Sequence, residues 1–286
     1  MLLRYQSKVT LILKGGFANQ LIQYVAASII ADKRNSRLLI NNILFSKGIQ
    51  KISGVTERSF MLWWIKTKNI ESWPKSLITI IKAKLHLASN HNISTIPQAI
   101  SSKSKNIILD GYFQDPILFD NTHKQCWLSI ASSISLYNAN SYNLYDSSKS
   151  LVVHVRKADY LRLTNLYHQI SPDEYIEMMK TVINKNKCIQ SIYFLTDSPL
   201  WLTSFLLPLV HKDHDLSSLS IFSPILNTEM SFRFLSVARY LVISNSTFSL
   251  VAAYLSYVSN HLIYLQQPSL WYNGCKNPFL SIFGNE

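Results

Sequence analysis

The chain has 286 residues, 48% hydrophobic and 15% charged, and Lys plus Arg outnumber Asp plus Glu 28 to 16 for a net charge of +12. That is enough apolar material for one large core or two ordinary ones, and it excludes a disordered acidic chain. Cys126, Cys188 and Cys275 are odd in number and widely scattered, which excludes a disulfide scaffold and a C-x-x-C metal site.

Val9 to Leu13 is an apolar run of strand length ended by Gly15-Gly16. From Gln20 the apolar residues (Leu21, Tyr24, Val25, Ile29) take helical spacing, and Leu38-Leu39-Ile40 offers a second strand. Strand, glycine turn, helix, strand is the opening of a doubly wound α/β domain. Residues 46–105 hold ten basic side chains against Glu57 and Glu71 and read as basic helices and loops. Ile107-Ile108-Leu109 is a strand running into Asp110-Gly111-Tyr112-Phe113-Gln114.

A polar stretch, Ser141 to Ser150, then separates two halves, expected as domains 1–147 and 148–286. In the second half Leu151–Val155, Ile192–Leu195, Leu241–Ile243 and Ile263–Leu265 read as strands. Ser171-Pro172-Asp173-Glu174 is a capping box opening a helix to about Asn184. No run reaches the roughly 20 apolar residues that cross a bilayer. Met1 to Lys8 is too short and polar for a signal peptide, so a cytoplasmic protein is expected.

Four polar segments sit where strands end, the place where open α/β sheets bind ligands. Lys14 to Gln20 pairs two glycines with a helix start, and Gly16 and Asn19 are its candidates. On pattern alone the bland reading, a strand-to-helix turn with Asn19 as helix cap, is the favoured one. His154 to Tyr160 puts His154 and Arg156 on one side of a strand, where Arg156 can present a planar fork to a pyrophosphate. The bland alternative is an Arg156–Asp159 salt bridge closing the turn. Asp197, in Leu195-Thr196-Asp197-Ser198-Pro199, is either a partner for guanine or ribose or part of a helix cap. Asn245-Ser246-Thr247-Phe248 has more hydroxyl and amide groups than one cap requires, as a phosphate cradle at a helix start would. His211 and His214, near Asp213 and Asp215, read as a solvated loop. No H-E-x-x-H, G-x-S-x-G or His/Cys cluster is present.

Together these residues resemble glycosyltransferase family 11, the bacterial and animal α-1,2-fucosyltransferases. Gly15-Gly16-Phe17-Ala18-Asn19-Gln20-Leu21-Ile22-Gln23-Tyr24 is similar to that family's G-G-L-G-N-Q opening, and Gly111-Tyr112-Phe113-Gln114 to its G-Y-F-Q. His154 to Tyr160 resembles H-x-R-R-G-D-Y, Phe194 to Trp201 resembles F-S-D-D-x-x-W, and Ile243 to Leu255 resembles I-A-N-S-[ST]-F-S-W-W-G-A-W-L. The five matches fall in family order and span most of the chain. Ala18, Ala158 and Leu250-Val251-Ala252 depart from it.

The resemblance implies a GT-B fold, two Rossmann-like domains facing a cleft, with the donor held mainly by the C-terminal half. It implies inverting transfer of L-fucose from GDP-fucose to the 2-hydroxyl of a galactose-type residue, without metal or other cofactor, in surface-polysaccharide (O-antigen or capsule) synthesis. In that reading Arg156 stabilises the departing GDP, and His154 and Asp197 contact the nucleotide. Ser246, Thr247 and the helix start complete the phosphate cradle, Asn19 lies near the transferred sugar, and Asp159 is the candidate base. The expected partners are the GDP-sugar and an oligosaccharide or lipid-linked glycan, not nucleic acid.

Two rival readings remain: a transferase of the same fold using another sugar nucleotide, and a non-catalytic polyanion or membrane-surface binder. The second is motivated by charge, since residues 1–150 carry 18 basic and 7 acidic side chains against 10 and 9 in the remainder. Lys66, Lys68, Lys75, Lys82 and Lys84, interleaved with Trp63, Trp64 and Trp73, are expected to touch an anionic inner membrane face peripherally.

Overall fold

The computed structural model describes residues 7–46, 59–60, 62, 92–135 and 146–283. The Trp63–Lys84 basic and aromatic positions lie outside the described residues, as do most of 46–105 and of the polar stretch before Ser150. The chain divides into two compact units, Met1–Trp127 and Leu128–Glu286.

The first unit holds a parallel sheet of order β2-β1-β4-β3, from β1 (Lys8–Ile12), β2 (Arg37–Asn41), β3 (Asn92–Ile93) and β4 (Asn106–Leu109). β1 is central because Val9 and Leu11 are fully buried, while Lys8 at its start stays at the surface. The helix Phe17–Lys33 buries most of its surface: Leu21, Ile22, Val25, Ala26 and Ile30 have no exposure to speak of. Two buried amides accompany them. Gln23 closes a ring with the Lys14 backbone, accepting from its N–H at 3.0 Å and donating to its carbonyl at 2.7 Å, while Gln20 donates to the carbonyls of Gly15 and Ser59. Such groups are retained in a core because they are paired.

The helix begins at Phe17, three residues earlier than the apolar spacing indicates, with Gly16 as N-cap and no side-chain cap bond. Asn19 is therefore inside the first turn and not a cap. Phe17 and Ala18 are buried and extend the apolar face back to the glycines.

The second unit holds a five-stranded parallel sheet of order β7-β6-β5-β8-β9, from β5 (Ser150–Val155), β6 (Ser191–Thr196), β7 (Ser220–Phe222), β8 (Tyr240–Val242) and β9 (Tyr264–Gln266). Strand order reverses at β5, so the switch point lies between β5 and β8. Every residue of β5 is buried, as in strands covered on both faces. The capping box at Ser171–Glu174 forms as read, and the helix Pro172–Lys185 packs Tyr175, Met179 and Val182 into the core with Leu151, Val153 and Phe194.

Short or locally atypical elements escaped the sequence reading: β3, β7 and the hairpin of β10 (Leu270–Tyr272) and β11 (Cys275–Lys276). The segment around His211–Asp215 is helical, not a loop. Asp213 caps His214–Ser217 and pairs with Lys180 at 3.2 Å.

Gly111 follows β4 so closely against Ser94 that a Cβ there would lie 2.7 Å from the Ser94 carbonyl oxygen. Backbone cannot yield as a flexible side chain does. Gly111→Ala should therefore cost about 1–3 kcal/mol, the usual range for overpacking, seen as a lower melting temperature. An unchanged transition would contradict the packing at β3–β4.

Candidate active site

Strand register brings the second-unit candidates together. Val155 of β5 pairs with Thr196 of β6, so the next residues, Arg156 and Asp197, leave the sheet side by side. Arg156 Nη1 lies 2.7 Å from Asp197 Oδ2, and Nη2 lies 2.8 Å from Asp159 Oδ1 and 2.9 Å from Oδ2. Its carbon also sits 5.7 Å from the centre of the Tyr160 ring. The other oxygen of Asp197 accepts the backbone N–H groups of Lys157 and Ala158, at 2.9 and 3.2 Å. The salt bridge read as closing the turn is thus present, within a larger arrangement. Asp197 makes no cap bond; Ser198 is the N-cap of Pro199–Trp201, without a side-chain bond.

His154 shares the strand end but is only 5% exposed. Its Nδ1 lies 2.9 Å from Ser244 Oγ and its ring 5.5 Å from that of Phe248. Burial, with Arg156 nearby as a smaller influence, pushes its pKa down to about 3, so the ring is neutral near pH 7. Arg156 follows directly on the end of β5, one residue beyond Val155. His154 is turned into the β5–β8 junction while the Arg156 side chain keeps a quarter of its surface.

Asn245 is also buried, its amide donating to the carbonyls of His168 at 2.9 Å and Trp271 at 2.7 Å. Ser246 is the N-cap of the helix Thr247–Val258, accepting from Phe248 N–H at 3.3 Å. Thr247 and Phe248 are half-buried at that helix start, beside the switch point. Lys157, next to Arg156, is buried: its ammonium donates to the Ile170 carbonyl at 2.6 Å and lies 4.5 Å from the centre of the Trp201 ring. Desolvation lowers its pKa to about 8, against the opposing pull of Glu174.

In the first unit, β1 and β4 are neighbours, and the loops after them meet. Lys14 Nζ is 2.7 Å from Asp110 Oδ1, and Gln114 Nε2 donates to Asn19 Oδ1 at 2.8 Å. Gly15 has φ +81°, and a Cβ there would strike Tyr112 at 2.8 Å. Gly16 faces open space, with nothing within 4 Å of a Cβ. Lys14, Asp110, Gln114 and Ser244 are members of these clusters that were not among the candidates. Asp110 precedes the G-Y-F-Q stretch and Gln114 ends it, and only the β1–β4 pairing shows that they face the glycine loop. Among the described residues, no group of three or more His, Cys, Asp or Glu could hold a metal ion, and no helix is long and apolar enough to cross a membrane.

Two parallel-sheet α/β units of this kind make a GT-B-like, fucosyltransferase-like fold. Solved structures similar to the chain include a mutant of Arabidopsis thaliana FUT1 in complex with GDP, at 12% identity and a TM-score of 0.52 over 91% of this chain and 70% of that one. POFUT1 in complex with GDP matches at 12% identity and TM-score 0.46 over 92% and 98%. NodZ of Bradyrhizobium, a fucosyltransferase, matches at 12% and 0.40 over 86% and 92%. The fold rests on the first of these. No protein-family model matches the chain, and no curated protein does.

The buried His154 has a consequence for stability. The unfolded chain takes up a proton near pH 6.5, whereas the folded ring stays neutral down to about pH 3. Its contribution is therefore complete above pH 6.5 and is lost as the pH falls toward 3. Melting temperatures of wild type and His154→Gln should converge on acidification from pH 7 to 5. Parallel pH profiles would contradict a neutral buried imidazole.

Proposed function

We propose that the protein is an inverting glycosyltransferase that moves L-fucose from GDP-fucose to the 2-hydroxyl of a galactose-type residue, without a metal ion, in surface-polysaccharide synthesis. The observation that carries this reading is Arg156, held by Asp159 and Asp197 at the end of the central strand β5, beside the switch point. Sheets of this type bind nucleotides at that place. The fold is shared with FUT1, whose structure contains GDP. The linkage and acceptor rest on the five-motif resemblance.

As the bond between fucose C1 and the β-phosphate oxygen breaks, negative charge collects on the phosphate. Arg156 meets it with a planar fork, and the start of Thr247–Val258 meets it with backbone N–H groups and the positive end of the helix dipole. Ser246 and Thr247 stand at that helix start. His154 and Asn245 hold the turn behind it, His154 through Ser244 and Asn245 through the carbonyls of His168 and Trp271. In the first unit Asn19, bonded to Gln114, and the open Gly16 are assigned to the sugar side.

The departures from the family pattern bear on donor-sugar and acceptor identity more than on phosphate binding through Arg156. Leu250, Val251 and Ala252 are fully buried, so they serve the packing of the helix. Ala158 is exposed and is not among the residues with positive φ, so its methyl is accommodated where the family has glycine.

We assign the basic and aromatic stretch from Trp63 to Lys84 to peripheral contact with an anionic membrane that presents the lipid-linked acceptor. Stronger partitioning onto anionic than neutral vesicles at low salt is expected, and equal partitioning would remove this part. The donor is tested by thermal shift with GDP-fucose, GDP-mannose and UDP-sugars. GDP-fucose at 100 times its dissociation constant should stabilise by about 2.7 kcal/mol. Preference for another donor would move the protein to a different transferase class, and salt-sensitive polyanion binding without transfer would make it a binding protein. Arg156→Ala should cost about 100-fold or more in turnover, as the loss of one charge-stabilising donor does. Near wild-type turnover would remove Arg156 from the reaction.

A further inference from the structure

The contacts around Arg156 present a conflict of charge. One guanidinium faces two carboxylates, so an incoming diphosphate competes with them for Arg156. Both carboxylates lie within 3 Å of the guanidinium nitrogens, where an incoming phosphate would have to bind. A phosphate that takes the Nη2 side of Arg156 takes the place of the Asp159 carboxylate.

The two are not equivalent. Asp197 is anchored through Oδ1, which accepts the backbone N–H groups of Lys157 and Ala158, while Oδ2 forms the ion pair with Arg156, and its side chain is 23% exposed. Asp159 is 44% exposed. It stands at the N-cap position of the short turn Tyr160–Arg162, yet makes no cap bond to it. An aspartate at that position normally accepts from the turn's N–H groups. Here the carboxylate is directed to Arg156 instead, with both oxygens within 2.9 Å of Nη2.

We propose that Asp159 is a built-in anion that occupies the place of the donor diphosphate on Arg156, and that donor binding releases it to take the proton of the acceptor hydroxyl. This rests on the donor reading given above. Asp197 is the permanent positioning residue for the guanidinium, and Asp159 is the exchangeable one. In the transfer step the acceptor oxygen bonds to fucose C1 while the C1–phosphate oxygen bond breaks. The bonding pair goes to the β-phosphate, and the hydroxyl proton goes to the Asp159 carboxylate. When Asp159 gives that proton to water, its return to Arg156 competes with the bound GDP and favours its departure. Donor therefore binds before a competent acceptor complex forms.

The test is calorimetric titration of GDP into wild type, Asp159→Asn, Asp159→Ser and Asp197→Asn, with melting curves to establish that each is folded. Removing an exposed competing charge should tighten GDP binding by about three- to fivefold, the scale of exposed ion pairs, while transfer turnover falls. Asp197→Asn should weaken GDP binding, because it loosens both Arg156 and the 157–158 backbone. A purely structural role for Asp159 predicts weaker binding in its variants. Unchanged or weaker GDP binding in both Asp159 variants, with wild type binding GDP normally, overturns the exchange and leaves the donor reading intact. Tighter binding with undiminished turnover overturns the proton transfer. Failure of wild type to bind GDP overturns the donor reading itself.

Discussion

The placement of one cation, Arg156, is the constraint on which the second unit is organised. A guanidinium at a strand end is useful only if its long side chain is held, and here Asp197, Asp159 and the Tyr160 ring hold it. The loop that supplies these groups is tied down in turn. Tyr160 donates its hydroxyl to the Asn245 carbonyl at 3.0 Å, Gln169 donates to the Tyr160 carbonyl at 3.0 Å, and Lys157 reaches the Ile170 carbonyl. Asn245 then binds the carbonyls of His168 and Trp271, joining the β8 turn to this loop and to the hairpin. Buried polar networks of this kind are costly unless satisfied and rigid when they are.

The network explains why the buried polar residues differ in kind from the exposed ones. His154 and Lys157 both have their pKa values lowered by burial, and neither is placed to act as an open charged group. Within this network the charge left accessible is that of Arg156 and its two carboxylates. The excess of basic residues lies in positions 1–150, outside this network, and the second half is nearly neutral.

Much of this was legible in the sequence because strand ends carry their own punctuation. The strands β1, β2, β4, β5, β6, β8 and β9 are apolar runs bounded by glycine or polar clusters, and the Ser171 capping box is a local signal that the structure reproduces. What stayed hidden depends on pairing. β3 has two residues and β7 three, too few for periodicity to register. The start of the first helix was misplaced because Gly16 caps it by backbone geometry, leaving no side-chain signature. That Asp197 grips the backbone of residue 157, or that Asn19 meets Gln114, follows only from the β5–β6 and β1–β4 registers. The distinction between His154 turned inward and Arg156 turned outward is likewise a matter of burial, which alternation alone does not give.

The most direct test of Arg156 as the donor's anchor is a crystal structure of the protein soaked with GDP. The β-phosphate should lie within hydrogen-bond distance of the Arg156 guanidinium and the N-terminus of Thr247–Val258, with Asp159 displaced and Asp197 still on Nη1. GDP bound elsewhere, with Asp159 unmoved on Arg156, would contradict it.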